Sequence, residues 1–194
     1  MLPSVFRGCK NSTPDKDFDA LESLVVGLEE IASTELRLYA EQTSEIDLGA
    51  VLDDLKIVIF PSLSEHDIAC EWKVDSELPL VWADGINLIQ VFLNLTTNSI
   101  RALTEQESDR RLCISATANG PRVTVEVFDS GSGVSRPDDL FRSSQAGAEN
   151  TGLGLYLSRV FARSFGGELH YKPVSSGTCF IVELAAVEGV RQAQ

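Results

Sequence analysis

Five polar side chains recur at helical spacing in an otherwise apolar stretch: Asn87, Gln90, Asn94, Asn98 and Arg101. At about 100° per residue they fall within an arc of roughly 80°. Nearly all other positions in 86–102 are apolar or small, among them Ile86, Ile89, Phe92, Leu93, Leu95, Ile100 and Ala102. A helix built from this stretch is buried around most of its circumference and carries one polar stripe. A buried amide without a partner costs on the order of 1–3 kcal/mol. The stripe therefore either faces solvent or lines a cavity that binds something polar. Amide side chains offer neutral oxygen acceptors and N–H donors but cannot take up a proton as a base, so their chemistry is ligand binding.

Two further stretches favour the cavity. Asp129 ends the alternating run "VTVEVF" and is followed by Gly131, Gly133 and Val134. This order sets a carboxylate acceptor beside a backbone free of side chains. Downstream, "TGLGL" (Thr151, Gly152, Leu153, Gly154, Leu155) opens a helical pattern. Glycines there expose backbone N–H groups at a helix N-terminus, which favours phosphate. Each glycine motif alone is weak, but the three in this order and within about 65 residues form a specific combination.

Helices and strands must hold these groups. Residues 18–42 carry Leu21, Leu24, Val25, Leu28, Ile31, Leu36 and Leu38 at helical spacing, with acidic residues between them. The pattern predicts a long amphipathic helix whose stripe needs a partner. A second helix is expected over 46–64 with Asp47 as its N-cap. "IACEWKV" alternates as a strand, and "LPLVWAD" is an extended piece ending at Asp84, a cap for the striped helix over 85–103. "RLCISATA" and "RVTVEVFD" form a hairpin about Asn119-Gly120-Pro121. A Gly/Ser/Asp-rich region over 129–151 follows, interrupted by "DDLF". The helix "GLGLYLSRVFARSF" ends at Gly166-Gly167, and "GELHYKP" and "GTCFIVEL" are the last strands. Strands in hairpins argue for an α+β two-layer sandwich rather than a doubly wound sheet.

Bulk properties narrow the function. The chain has 194 residues, 43% of them hydrophobic, and a formal net charge of −13. That charge repels nucleic acid and anionic membranes. No apolar run is long enough to span a bilayer, and no signal-peptide core is present, so a cytoplasmic location is expected. Cys9, Cys70, Cys113 and Cys179 are widely spaced, and only two histidines exist, so a zinc site is not expected.

The three motifs together resemble those of the ATP-binding domain of sensor histidine kinases. That domain belongs to a wider superfamily with gyrase-type, heat-shock-chaperone and mismatch-repair ATPases (the Bergerat fold). "VWADGINLIQVFLNLTTNSIRAL" is similar to the N box, "DSGSGV" to the G1 box, and "TGLGLYLSRVFARSFGGEL" to the G2 box and its helix. "SSGTCFIVEL" resembles the closing strand. The resemblance implies a mixed, mostly antiparallel sheet with three helices on one face, preceded by the long N-terminal helix. It divides the chain into a tail (1–17), a helix like the second of a dimerisation hairpin (18–45), a catalytic domain (46–187) and a tail (188–194).

The resemblance also implies roles. The cofactors would be ATP and Mg²⁺, with Asn98 as the metal ligand. Asn94, Asn98 and Arg101 would be the catalytic group at the phosphates. In the hydrolytic relatives a Glu activates water at the place of Asn94, so an amide here implies phosphoryl transfer rather than hydrolysis. Asp129 would accept a hydrogen bond from the adenine amino group, with Thr178 nearby. Gly131, Gly133 and Val134 would meet the base. Thr151, Gly152, Leu153, Gly154 and Leu155 would cover the phosphates, and 135–151 would form a lid. Arg142 would replace the charge of a lysine that the family often carries where this chain has Gln145.

The implied activity is that of an ATP-dependent protein histidine kinase feeding a response-regulator aspartate. The 18–42 helix contains no histidine, and neither His66 nor His170 fits the acceptor pattern. The phosphoacceptor domain is therefore expected upstream or in trans, with a homodimer through helix 18–42 as one arrangement. A degenerate nucleotide-binding module without transfer, and a serine kinase of the anti-sigma type, are the competing expectations.

Overall fold

The computed structural model describes residues 43–107, 109–142 and 153–187. The expected helix at 18–42 and both tails lie outside the described residues. Among the described residues seven strands and three α-helices follow one another: β1 (Ser44–Ile46), α1 (Leu48–Glu65), β2 (Ala69–Val74), β3 (Val81–Ala83), α2 (Gly85–Thr104), β4 (Arg111–Asn119), β5 (Arg122–Asp129), α3 (Leu153–Ser164), β6 (Glu168–Tyr171) and β7 (Thr178–Ala185). A 3₁₀ turn, Pro137–Asp139, lies between β5 and α3.

Local chemistry starts and stops these elements. Asp47 accepts from the Ala50 N–H at 3.2 Å and caps α1. Asp84 accepts from the Asn87 N–H at 2.9 Å and caps α2. Each carboxylate satisfies an N–H that the first helical turn leaves without a partner. Gly166, at φ 74°, ends α3 in a left-handed conformation that glycine adopts without strain.

Five strands form one sheet in the order β2-β4-β5-β7-β6, with β2–β4 parallel and the other pairs antiparallel. The parallel pair makes the sheet mixed and mostly antiparallel, as expected. It arises because the chain passes through β3 and α2 between β2 and β4, a crossover rather than a tight turn. β1 was not foreseen: Ile46, expected at a helix start, instead pairs with Val81 in a small two-stranded sheet. The register stacks one face of the large sheet in rows. Ala116, Val125, Val182 and Leu169 form one row, and Ile114, Val127 and Phe180 form the next.

The helices cover that face. α1 buries Leu48, Leu52, Leu55, Ile59 and Leu63; α2 buries Leu88, Val91, Phe92, Leu95 and Leu103. α2 packs between α1 and α3. The outcome is the expected two-layer α+β sandwich. Ile86, counted among the apolar positions of α2, is instead 80% exposed. Asp84 is buried to 8% exposure at the start of the central helix. Asp84→Ala is therefore expected to lower unfolding stability by about 1 kcal/mol, measured as a shift of the urea midpoint at constant m-value.

Candidate functional site: a cleft between α2, α3 and the ends of β5 and β7

The third row of the sheet ends in polar groups. Leu112, Asp129 and Thr178 lie side by side on the helix-facing surface. Asp129 is only 2% exposed, and Thr178 7%. A carboxylate so deeply placed needs donors. Ser99, on the buried side of α2, donates its hydroxyl to Asp129 Oδ2 at 2.9 Å, and the Gly131 N–H donates to Oδ1 at 2.9 Å. Burial pushes the Asp129 carboxyl above its ordinary value, and the Ser99 and Gly131 hydrogen bonds oppose that rise.

Glycines set the shape around this carboxylate. A Cβ on Gly131 would stand 2.6 Å from Asp129 Oδ1 and 3.1 Å from the Ala102 Cβ. Gly133, at φ 80°, and Gly177, at φ 85°, both occupy left-handed backbone. A Cβ on Gly177 would run into the Asp129 carbonyl oxygen and the Phe128 ring. Gly177 was not singled out from the sequence, although its place before a strand in "SSGT" is a turn signal.

Above the carboxylate opens a cleft of about 560 Å³. Asn94, Asn98 and Arg101 from α2 line one wall, so the polar stripe does face a cavity. Gln90, from the same stripe, is exposed and does not line it. Gly133, Val134 and Thr178 contribute from the sheet end, and Gly154 and Leu155 from the start of α3. Leu140 and Phe180, missed in the sequence, add apolar surface. Gly131 touches the site through Asp129 rather than as cleft wall. Leu153 opens α3, and Thr151 and Gly152 lie outside the described residues.

Asn94 is held from two sides. Its Nδ2 donates to the hydroxyl of Ser158 at 2.9 Å, and Ser158 is 3% exposed. A Cβ on Gly154 would stand 2.5 Å from Asn94 Oδ1. The glycine thus allows α3 to close on the amide. Asn98 is less constrained: its Oδ1 accepts from Arg101 only at 3.5 Å, in an exposed setting. That oxygen is available to a ligand.

Arg142 behaves differently from its expected role. It pairs with Asp139 at 3.2 Å, with its side chain 70% exposed, and is not among the residues lining the cleft. The stem of the expected lid is nevertheless anchored. Phe141 packs edge-on against Phe180, with ring centroids 6.3 Å apart, and the Arg159 guanidinium lies 4.7 Å from the Phe141 centroid. Arg159 is fixed in turn by Glu168 at 2.7 Å. The remaining lid positions, 143–151, lie outside the described residues.

An amide-lined cleft with an acceptor carboxylate at its floor, glycines at its rim and an α+β sandwich beneath defines an ATPase-type nucleotide-binding domain. The family model described as "Histidine kinase-, DNA gyrase B-, and HSP90-like ATPase" matches residues 83–188, and the chain belongs to that family. It is 31% identical over 150 residues to the C4-dicarboxylate transport sensor protein DctS of Rhodobacter capsulatus, covering 74% of this chain and 22% of that protein. It is 28% identical over 158 residues to the sensor histidine kinase ZraS of Escherichia coli, covering 79% of this chain and 32% of that protein. The chain therefore spans less than a third of either relative's length. Its fold matches the catalytic domain of histidine kinase ThkA with a TM-score of 0.67 at 24% identity, over 74% of this chain and 95% of that one.

Asp129→Asn removes the charge and keeps the shape. Nucleotide affinity is expected to fall by about tenfold to a hundredfold, the worth of one charge-assisted hydrogen bond, read by titration calorimetry. Without ligand, the sign is opposite. A carboxyl raised in the folded state contributes stability that is fully present below its unfolded pKa and is lost as pH rises through the folded one. Over that window the stability of wild type, relative to Asp129→Asn, falls as pH rises, while its nucleotide affinity increases. A pH series of melting temperatures and titrations checks both slopes.

Proposed function

We propose that this chain is the ATP-binding catalytic part of a two-component sensor histidine kinase. The observation that carries the reading is Asn94. An amide locked between Ser158 and Gly154 occupies the cleft wall, and an amide cannot deprotonate water. A site built this way binds ATP without a base to spend it on hydrolysis. It suits transfer to an acceptor that brings its own lone pair, such as a neutral imidazole.

The residues divide the work by chemistry. The Asp129 carboxylate accepts a hydrogen bond from the adenine amino group. Val134, Leu140, Leu155 and Phe180 exclude water from the base, and Asn94, Asn98 and Arg101 face the phosphates. Mg²⁺ fits this donor set. Among the described residues no group of three His, Cys, Asp or Glu could hold a metal by itself. A neutral Asn98 oxygen combined with phosphate oxygens is the kind of mixed shell Mg²⁺ takes. When bound, the ion would neutralise charge on the phosphates.

In the transfer, a ring nitrogen of the acceptor histidine forms the new N–P bond as the bond from the γ-phosphorus to the bridging oxygen breaks and ADP leaves. Arg101 meets negative charge on the phosphates, and the Asn94 amide holds geometry without taking a proton. The acceptor histidine belongs to a dimerisation domain upstream or in trans, and the phosphoryl group passes on to a response-regulator aspartate. The location of the reaction is cytoplasmic. No helix among the described residues is long and apolar enough to cross a membrane.

The test is phosphotransfer from γ-labelled ATP with Mg²⁺ to a phosphoacceptor domain supplied in trans. Acid-labile, base-stable label on a histidine is expected. Asn98→Ala should reduce the rate about a hundredfold, in line with loss of a positioned electrostatic group, and leave the fold intact by circular dichroism. ATP binding without any transfer would leave a nucleotide-binding module and overturn the kinase reading.

A further inference from the structure

The large sheet has a free edge far along its strand order from the nucleotide cleft. β2 pairs with β4 on one side, and among the described residues no strand pairs with its other side. The Ala69 N–H donates to the Arg110 carbonyl, and the Asp75 N–H to the Ala116 carbonyl. In this parallel register, positions 69, 71, 73 and 75 turn their backbone groups towards β4. Cys70, Trp72 and Val74 turn theirs outward.

Beside that edge, between β2 and α1, runs a groove of about 450 Å³. Phe60, Leu63, Ile68 and Trp72 line it, with Lys56 and Asp67 among its polar walls. Its helical rim is unusually apolar for a surface: Phe60 is 63% exposed, and Ile57, one turn before it on α1, is 72% exposed. Edge strands are commonly blunted by charge. Here the two charges on β2, Glu71 and Lys73, are paired with each other at 2.6 Å. By strand alternation they project to the face opposite Cys70 and Trp72, so the groove side stays open.

A free strand edge beside an apolar groove fits one kind of occupant, an extended chain. Its backbone completes the ladder and its alternate side chains enter the groove. Charge narrows the choice. The chain carries a formal net charge of −13, Asp67 lines the groove, and the groove's Lys56 is already engaged over the Trp72 ring at 5.6 Å. A second copy would bring the same net charge of −13 and be repelled. An anionic membrane would be repelled. We infer that the β2 edge and the α1–β2 groove dock an extended segment of a partner protein, apolar at alternate positions and net basic, as a sixth strand of the sheet.

The test is a titration of the ¹⁵N-labelled full chain with the peptide Lys-Val-Lys-Val-Thr-Val-Lys-Val, followed by amide shifts. Saturable binding at micromolar to millimolar concentration, with the largest shifts at Cys70, Trp72 and Val74, is expected. Phe60→Asp, a change at an exposed position, should weaken binding about tenfold or more without moving the unfolding midpoint. Replacing each lysine of the peptide by glutamate should weaken it comparably, and N-methylation along one peptide edge should abolish it. The inference fails if no saturable shifts occur, or if Phe60→Asp or the N-methylated peptide binds as well as the originals. It fails equally if the Cys70, Trp72 and Val74 amides are already protected from hydrogen exchange in the free chain, because the edge would then be covered by the chain itself. Concentration-dependent dimerisation through β2 would assign the edge to a second copy and overturn it too.

Discussion

The Asp129 carboxylate is the constraint around which the site half of the molecule is arranged. A charge at 2% exposure is tolerable only with donors in place. They come from separate parts of the chain: the Ser99 hydroxyl on α2 and the Gly131 N–H in the following turn. On the neighbouring strand, Thr178 is its register partner. Satisfying one carboxylate therefore fixes α2, β5, β7 and the loop after β5 relative to one another. Gly177 tightens the arrangement, because only a residue without a Cβ lets the turn into β7 lie against the Asp129 carbonyl. The raised pKa of the carboxyl is the remaining cost of that burial. The same burial makes the carboxylate a strong acceptor for a ligand donor that enters from the cleft.

The second wall obeys the same logic with a neutral group. Asn94 sits where α2 and α3 converge, and the amide is usable there only because α3 brings Ser158 to accept from it and Gly154 to make room. The α2–α3 end of the cleft is thus built by helix–helix packing, whereas the Asp129 end is built by strand register. Between them, Phe180 belongs to both: it fills the core row beside Val127 and meets Phe141, which follows the 3₁₀ turn.

The sequence was legible where the information is local. Asp47 and Asp84 cap helices three residues away, and the striped helix declares itself within five turns. The glycine boxes could be read because left-handed or crowded backbone restricts the residue type. What stayed hidden depends on partners far along the chain. Ser99 meets Asp129 across 30 residues, and Ser158 meets Asn94 across 64. Serine in a helix has an ordinary surface reading, and no periodicity marks these two as buried. The β1–β3 pair was invisible because three-residue strands leave no alternation to detect, and the β2–β4 pairing because alternation marks a strand but not its neighbour. Arg142 shows the converse: its residue type suits phosphate, and Asp139, three residues before it, competes for the charge.

The free edge and the cleft are not mechanically separate. Arg110 precedes β4 and donates to the carbonyls of His66, at the end of α1, and of Gln106, at the end of α2. The Gln106 side chain donates to the Ser130 carbonyl, next to Asp129. The Ser130 N–H in turn donates to the Arg111 carbonyl at the start of β4. A strand added to β2 would stiffen β4 and the turn that carries Arg110, and that turn holds the residue adjoining the buried carboxylate. Physical continuity alone is not allostery, which requires an element with two arrangements and a difference in binding between them. The residue after Asp129 is the element best placed to supply it. It is held from the helix side by Gln106 and from the sheet side by Arg111, and these are the layers that the cleft and the edge respectively pull upon. Any coupling that exists must be reciprocal: an occupant of the edge that tightens the Asp129 turn would be bound more tightly, by the same factor, when nucleotide fills the cleft.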